Sequence, residues 1–243
     1  MLFDWLEYLY YFKWLLILSQ IWFIFLTSLL FSTKELEKEV KGKKILMILA
    51  HPDDESMFFV PFLNYFRGNE ISLLCLTNGD AEGLGRVREK ELSEACKLLS
   101  IKSLTILNND LLPDSMSTPW PLSEVTKVIT SHLSHHPADL ILTFDNFGVS
   151  GHQNHVSIFQ ALQSSRASFS QLQMLSLESP SLLRKYIGIL DLPFSSRSEY
   201  AVINFNPLLA WRAMSTHASQ FVWYRKLFVV FSRFAYLNTF KAF

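Results

Sequence analysis

Imidazole and carboxylate side chains cluster at two places in this chain. His51-Pro52-Asp53-Asp54-Glu55 follows the apolar run Lys44–Leu49, and Gly151-His152-Gln153-Asn154-His155 follows a second apolar run, Ala138–Phe144. His152 and His155 stand three residues apart, which puts them on neighbouring faces of one helical turn. Two imidazoles and a carboxylate suit divalent zinc and leave an open position for water, whose pKa the ion lowers to about 7. A carboxylate that stays off the metal can take the proton as general base. Adjacent side chains on a non-helical turn point different ways, so one of Asp53 and Asp54 can bind metal while the other faces substrate. The remaining histidine can protonate or polarise a developing oxyanion. Each group alone has a plain structural explanation, since Pro and Asp form turns and paired histidines are common on surfaces. Placed together at the ends of two strands, they point to one metal-assisted hydrolytic centre.

For the groups to meet, both must leave the carboxyl ends of strands in one sheet, where open α/β sheets hold their ligands. Lys44–Leu49, Ile71–Leu76, Ser103–Leu107 and Ala138–Phe144 read as strands. Helices over Ser56–Arg67, Arg86–Ser100 and Leu122–His135, and one starting near His152, alternate with them. That alternation implies right-handed crossovers and a mostly parallel sheet. Pro52 ends the first strand because it has no N–H to donate, and Pro61 must delay or kink the helix that follows. Arg86–Ser100 places Val87, Leu92, Ala95, Leu98 and Leu99 on its buried side. Arg88 and Glu91 on that helix have the spacing of an exposed ion pair, or of a clamp near the metal turn. The preceding Gly79–Gly85 loop lacks both G-x-G-x-x-G spacing and a Walker lysine. Ser56 lacks a G-x-S-x-G elbow, and His132, His135 and His136 read as solvated. Weaker strands, Gln173–Leu177 and Tyr200–Asn204, precede a helix over Ala210–His217. In the tail Phe221–Phe243, Arg225, Lys226, Arg233 and Lys241 fall on one arc of a helix wheel. It is expected as a helix, either interfacial or packed on the domain.

Formal net charge is +0, which leaves no electrostatic footprint for nucleic acid. Phe is 21 of 243 residues and mean hydropathy is +0.19, apolar enough to look first for a membrane contact. Leu15–Phe31 carries no charge and meets the roughly 17–25 residues that a spanning helix needs. Trp5, Tyr8, Tyr10, Tyr11 and Trp14 form an aromatic belt at its start, and Lys13 can snorkel. Asp4 and Glu7 stand where a signal peptide is basic, and no cleavage site follows, so a retained anchor is expected. Lys34, Lys38, Lys41, Lys43 and Lys44 follow the span, which puts the following domain in the cytoplasm. Cys75 and Cys96, both inside apolar patterns, fit a reduced compartment. The expected division is residues 1–43 as anchor and linker and 44–243 as one catalytic domain.

Ala50-His51-Pro52-Asp53-Asp54-Glu55, with Gly151-His152-x-x-His155, resembles the LmbE-like (PIG-L) superfamily of zinc-dependent de-N-acetylases. The run Thr143-Phe144-Asp145…Gly148-Val149-Ser150-Gly151-His152-Gln153-Asn154-His155 is similar to the eukaryotic, glycolipid-processing branch, as are the anchor and Ser215-Thr216-His217-Ala218-Ser219-Gln220. The resemblance implies an α/β fold, Rossmann-like, with a mostly parallel sheet, helices on both faces and one preceding transmembrane helix. It implies His51, Asp54 and His155 as zinc ligands, another divalent metal being possible. By the same resemblance Asp53 is the general base, and His152 stabilises the tetrahedral intermediate or acts as general acid. Arg88 and His217 are implied to bind substrate, His217 by contact or by closing the site. The implied reaction removes the N-acetyl group from N-acetylglucosaminyl-phosphatidylinositol, giving glucosaminyl-phosphatidylinositol and acetate in glycosylphosphatidylinositol anchor synthesis. Its partners are a glycolipid and the endoplasmic reticulum membrane, with a single pass and a cytoplasmic catalytic domain. Two rival readings are a deacetylase of a soluble amino-sugar conjugate and a membrane-tethered module that binds a glycolipid without turning it over.

Overall fold

The computed structural model describes residues 2–243, with side chains from Glu7 onward other than Leu9. Among the described residues, strands β1 (Lys44–Leu49), β2 (Glu70–Cys75), β3 (Ser103–Ile106), β4 (Leu140–Phe144), β5 (Gln173–Leu177), β6 (Tyr200–Ile203) and β7 (Leu237–Ala242) form one sheet. Their order is β3-β2-β1-β4-β5-β7-β6. β1 is parallel to β2 and β4, β2 to β3, and β4 to β5, whereas β7 runs antiparallel to both β5 and β6. Ile45, Met47 and Leu49 of β1 enter the core on one face, and Leu46, Ile48 and Ala50 the core on the other, as the two-residue period of a strand requires. Both faces are covered, which is why β1 reads as an unbroken apolar run.

The helices are α1 (Leu2–Val40), α2 (Asp54–Phe58), α3 (Val60–Tyr65), α4 (Gly85–Leu99), α5 (Leu122–His135), α6 (Gly148–Gly151), α7 (Gln153–Ser164), α8 (Leu182–Lys185), α9 (Leu192–Ser195), α10 (Pro207–Thr216) and α11 (Trp223–Phe231). Pro61 divides the helix expected over 56–67. The chain breaks at Phe59, and Pro61 sits in the first turn of α3, where a missing N–H removes no helical hydrogen bond. On α4, Val87 is exposed rather than buried. Arg88 is buried instead, in line with Leu92, Ala95 and Leu99.

The tail is not a single helix. α11 ends at Phe231, a 3-10 turn spans Arg233–Ala235, and the chain then enters the sheet as β7. Arg233 breaks the expected basic arc because it is buried against Asp191, with Nη1 2.7 Å from Oδ2. A buried guanidinium needs such a counter-charge.

α1 runs without interruption to Val40, through most of the segment expected as anchor and linker. Leu29, Leu36 and Val40 are buried, and Ser28 and Ser32 donate hydrogen bonds to the carbonyls of Ser196 and Ser198 at 2.7 and 3.1 Å. Upstream, Leu15, Leu18, Phe23 and Ile24 are exposed. The helix is long and apolar enough to cross a membrane. Of the aromatic belt, Tyr8, Tyr10, Tyr11 and Trp14 are exposed. Trp5 and the acidic Asp4 lie outside the described side chains. Cys75 and Cys96 are buried and unpaired.

Because β7 lies between β5 and β6, removing it strips β6 of its sheet partner and exposes the β5 edge. A chain ending at Tyr236 is expected to lose its cooperative thermal transition in detergent and to elute as aggregate on size exclusion. A monodisperse, cooperatively melting truncation would contradict this.

Candidate metal centre

The first half of the centre is the turn after β1. Asp53 has φ 110° and ψ −18°, a left-handed conformation that strains any residue with a Cβ. Side chains hold it there. Asp54 Oδ2 accepts from the Ala50 and His51 N–H groups at 3.1 and 2.9 Å. Glu55 Oε2 accepts from the Asp53 N–H at 3.2 Å. Glu55 Oε1 in turn accepts from Ser56 Oγ at 2.6 Å and meets His217 Nε2 at 2.7 Å.

The second half follows β4. Asp145 Oδ1 accepts from the Phe147 and Gly148 N–H groups at 3.0 Å each, which turns the chain into α6. Gly148 has φ +59°, and a Cβ there would stand 2.9 Å from the Cβ of His155. Only glycine allows the backbone so near that imidazole. His152 caps α7, its Nδ1 accepting from the Asn154 N–H at 3.3 Å.

The two halves meet across Asp54. Its Oδ1 lies 3.2 Å from His155 Nε2, and its Oδ2 lies 3.6 Å from His51 Nδ1. His155 Nδ1 donates to the Gly148 carbonyl at 3.1 Å, which turns its Nε2 toward Asp54. That Nε2 is buried with no hydrogen-bond partner. His51 Nε2 donates to Asn154 Oδ1 at 3.0 Å, with Asp114 Oδ1 at 3.2 Å, so its Nδ1 is also directed at Asp54. Two imidazole nitrogens and a carboxylate that converge in this way could serve as donors to a cation. His51, His152 and His155 can also each bring one nitrogen within 4.8 Å of the others. The His152 and His155 rings stack at 4.5 Å, and Phe144 stacks on His155 at 3.8 Å.

Burial opposes charge on Asp54, yet His155 and His51 hold its carboxyl well below the usual carboxylate range. Burial pushes Asp53 up, against the guanidinium groups of Arg225 and Arg88. Burial, with His155 and His51 adding to it, takes His152 down to about 3.

Asp53 Oδ2 pairs with Arg225 and lies 3.6 Å from Arg88, while no hydrogen bond or ion pair among the described residues reaches its Oδ1. Arg88 donates to the carbonyls of Gly79 and Pro52 at 3.0 and 2.7 Å and to Asp114 at 3.2 Å. Gly79 makes room for it, because a Cβ there would lie 2.4 Å from Arg88 Nη1. Arg88 does not pair with Glu91, which accepts from the Ser219 N–H and Oγ at 2.7 and 2.6 Å.

His51, Asp53, Asp54, Arg88, His152 and His155 line one cavity of about 210 Å³. His217 does not line it. It is fully buried behind Glu55, its Nε2 against Oε1. Asp114 and Arg225 line the cavity and Asn154 orients His51. None of these was singled out from the sequence as a site residue. Asn154 carried the one usable signal, its place between the paired histidines. Asp114 lies in an aperiodic loop, and Arg225 looked like one base of a surface arc. His132, His135 and His136 lie at the end of α5, half-buried or exposed.

Burial acts against charge on His217, but Glu55 outweighs it and raises its pKa above the ordinary 6.5. The ion pair therefore contributes full stability below that ordinary value and loses it as pH rises through the raised one. His217→Ala leaves a buried carboxylate unpaired, and should cost about 3–5 kcal/mol. The loss would be read as a fall in Tm in detergent, larger at pH 6 than at pH 9. Equal Tm for the two proteins at pH 6 would refute the pairing.

Residues 46–165 match the family model described as PIG-L: GlcNAc-PI de-N-acetylase. A probable N-acetylglucosaminyl-phosphatidylinositol de-N-acetylase of Dictyostelium discoideum is 34% identical over 237 residues, covering 81% of this chain and 92% of that protein. The N-acetylglucosaminyl-phosphatidylinositol de-N-acetylase of Bos taurus is 37% identical over 209 residues, covering 82% and 83%. The solved N,N'-diacetylchitobiose deacetylase from Pyrococcus horikoshii shares the fold, with TM-score 0.64 at 21% identity over 86% of each chain. With both motifs on one α/β sheet and relatives matched along most of their length, the chain belongs to the PIG-L family.

Proposed function

We propose that the chain is a metal-dependent hydrolase that removes the N-acetyl group from N-acetylglucosaminyl-phosphatidylinositol in glycosylphosphatidylinositol anchor synthesis. The products are glucosaminyl-phosphatidylinositol and acetate. The observation that carries this reading is the Asp54 carboxylate facing Nδ1 of His51 and Nε2 of His155, with a second carboxylate, Asp53, beside it in the same cavity. His51, Asp54 and His155 would hold the ion, zinc or another divalent metal. When bound, it supplies a Lewis acid that polarises the amide carbonyl and acidifies water.

Asp53 takes a proton through Oδ1 from the water whose oxygen attacks the amide carbon. Its raised pKa makes it a better base than an ordinary carboxylate, and Arg225 and Arg88 keep it ionised and aimed. Asp53 then returns the proton to the departing nitrogen as the C–N bond breaks. His152 accepts at Nδ1, so its Nε2 carries the hydrogen. With a pKa of about 3 it is a neutral donor near pH 7, suited to stabilising the oxyanion rather than to delivering a proton. Arg88 holds Asp114 and lies against Asp53 at the cavity wall, where it can also meet the substrate. His217 acts through Glu55 as a positioning residue.

The substrate is a lipid, and α1 supplies the means to reach it. Its uncharged run and the lysines after it support a single pass, with the catalytic domain on the cytoplasmic side of the endoplasmic reticulum membrane.

Asp53→Asn should retain its metal and lose about 10²- to 10⁴-fold in turnover, measured as bound metal and as acetate released from the glycolipid in detergent. Full activity would end the general-base assignment. Activity indifferent to a chelator, in protein without metal, would end the metal mechanism. Because Asp53 must be ionised to act, kcat/KM should fall with decreasing pH through a value above the ordinary 3.8.

A further inference from the structure

A second cavity adjoins the first and plays no part in the chemistry above. It measures about 370 Å³ and shares Met57, Phe58, Ser150 and Arg225 with the metal cavity. Its remaining wall is aromatic and apolar, from Tyr186 and from Tyr224, Leu227, Phe228 and Phe231 on and beside α11, except for one ammonium group, that of Lys185.

Lys185 is 6% exposed. Its Nζ donates to Ser150 Oγ at 2.6 Å and sits over the Tyr186 and Phe228 rings at 5.7 and 5.6 Å. Among the described residues no carboxylate pairs with it. Asp191, on the same stretch of chain, is already held by Arg184 and Arg233. A buried cation without a counter-ion is costly, and burial accordingly pulls the Lys185 pKa down. Ring faces and one hydroxyl offset only part of that cost. What the pocket lacks is an anion.

The apolar wall also leads outward. Leu182 and Leu183 on α8, and Ile189 and Leu190 on the turn after it, are exposed. α9 follows, next to Ser196, where α1 docks. Exposed apolar side chains thus lie along the chain between Lys185 and the point where α1 docks, available to the alkyl chains of an anion held at Lys185.

The geometry points to Lys185 as the recognition site for the phosphodiester of a glycolipid, with its chains lying over the α8–α11 trough and its sugar passing Ser150 into the metal cavity. This rests on the proposed deacetylase reading only for the identity of the sugar. Lys185 is thus a specificity residue, neither a metal ligand nor a proton carrier.

The test is binding, not turnover. The full chain in neutral-detergent micelles is doped with phosphatidylinositol, and its rise in Tm is followed against lipid mole fraction. Diacylglycerol, which has no phosphodiester, and inorganic phosphate, which has no chains, serve as separate arms. Lys185→Met should raise the half-saturating mole fraction of phosphatidylinositol about 10- to 100-fold, the worth of one charged hydrogen bond. Lys185→Arg, which keeps the charge, should stay closer to wild type. Ser150→Ala gives a second variant that leaves the lysine in place, and it should weaken binding less than Lys185→Met. Wild-type saturation by the Lys185→Met protein would overturn the site. So would equal binding of diacylglycerol, or inorganic phosphate binding as tightly as the lipid. A chain that binds phosphatidylinositol through Lys185 yet releases no acetate keeps this site and loses the deacetylase reading.

Discussion

The Asp54 carboxylate is the point on which the two halves of the centre depend. It is tied by backbone hydrogen bonds to the turn after β1 and faces an imidazole from each half. β1 and β4 are neighbours in the sheet, so their carboxyl ends open side by side. The reach of two side chains then closes the gap. Were the carboxylate protonated or displaced, two buried nitrogens would face each other with nothing between them. The strain at Asp53 and the left-handed φ of Val149, 66°, flank this contact on either side. Strained backbone of that kind persists where its surroundings over-determine it.

Around the contact the domain buries an unusual amount of charge, and each group is matched from a different part of the chain. Arg88 on α4 lies against Asp53 and Asp114, His217 at the end of α10 answers Glu55, and Arg225 on α11 answers Asp53. A buried ion pair is weak evidence of stability. Its value here is geometric, because at Asp53 it occupies Oδ2 and leaves Oδ1 open.

Much of this was legible in the sequence. β1 and α5 have their expected limits, because an unbroken apolar run and a clean 3.6-residue period each admit few alternatives. The histidines and aspartates declared themselves by sitting at strand ends. What sequence could not provide was long-range pairing. The helix wheel drawn for Arg225, Lys226, Arg233 and Lys241 assumed one element, whereas the chain uses a helix, a turn and a strand. Arg233 is buried and Arg225 half-buried, each against an acid distant in sequence, Asp191 or Asp53. His217 showed its type but not its depth. Val87 fits the apolar period of α4 but yields its buried place to Arg88, because the centre needs the charge more than the core needs the methyl groups.

The position of β7 has a consequence for how the molecule is made. β6 emerges from the ribosome before β7, which alone joins it to the sheet. Until residues 237–242 arrive, the parallel strands from β3 to β5 can assemble, but β6, though it can pack on α1, has no strand to pair with. Residues 204–236, which carry His217 and Arg225, hang between them. The turns after β1 and β4 belong to strands made before that closure, whereas His217 and Arg225, which pair with Glu55 and Asp53, lie in the segment it brings in. During that interval the nascent chain carries an open β5 edge and an unfinished acidic turn.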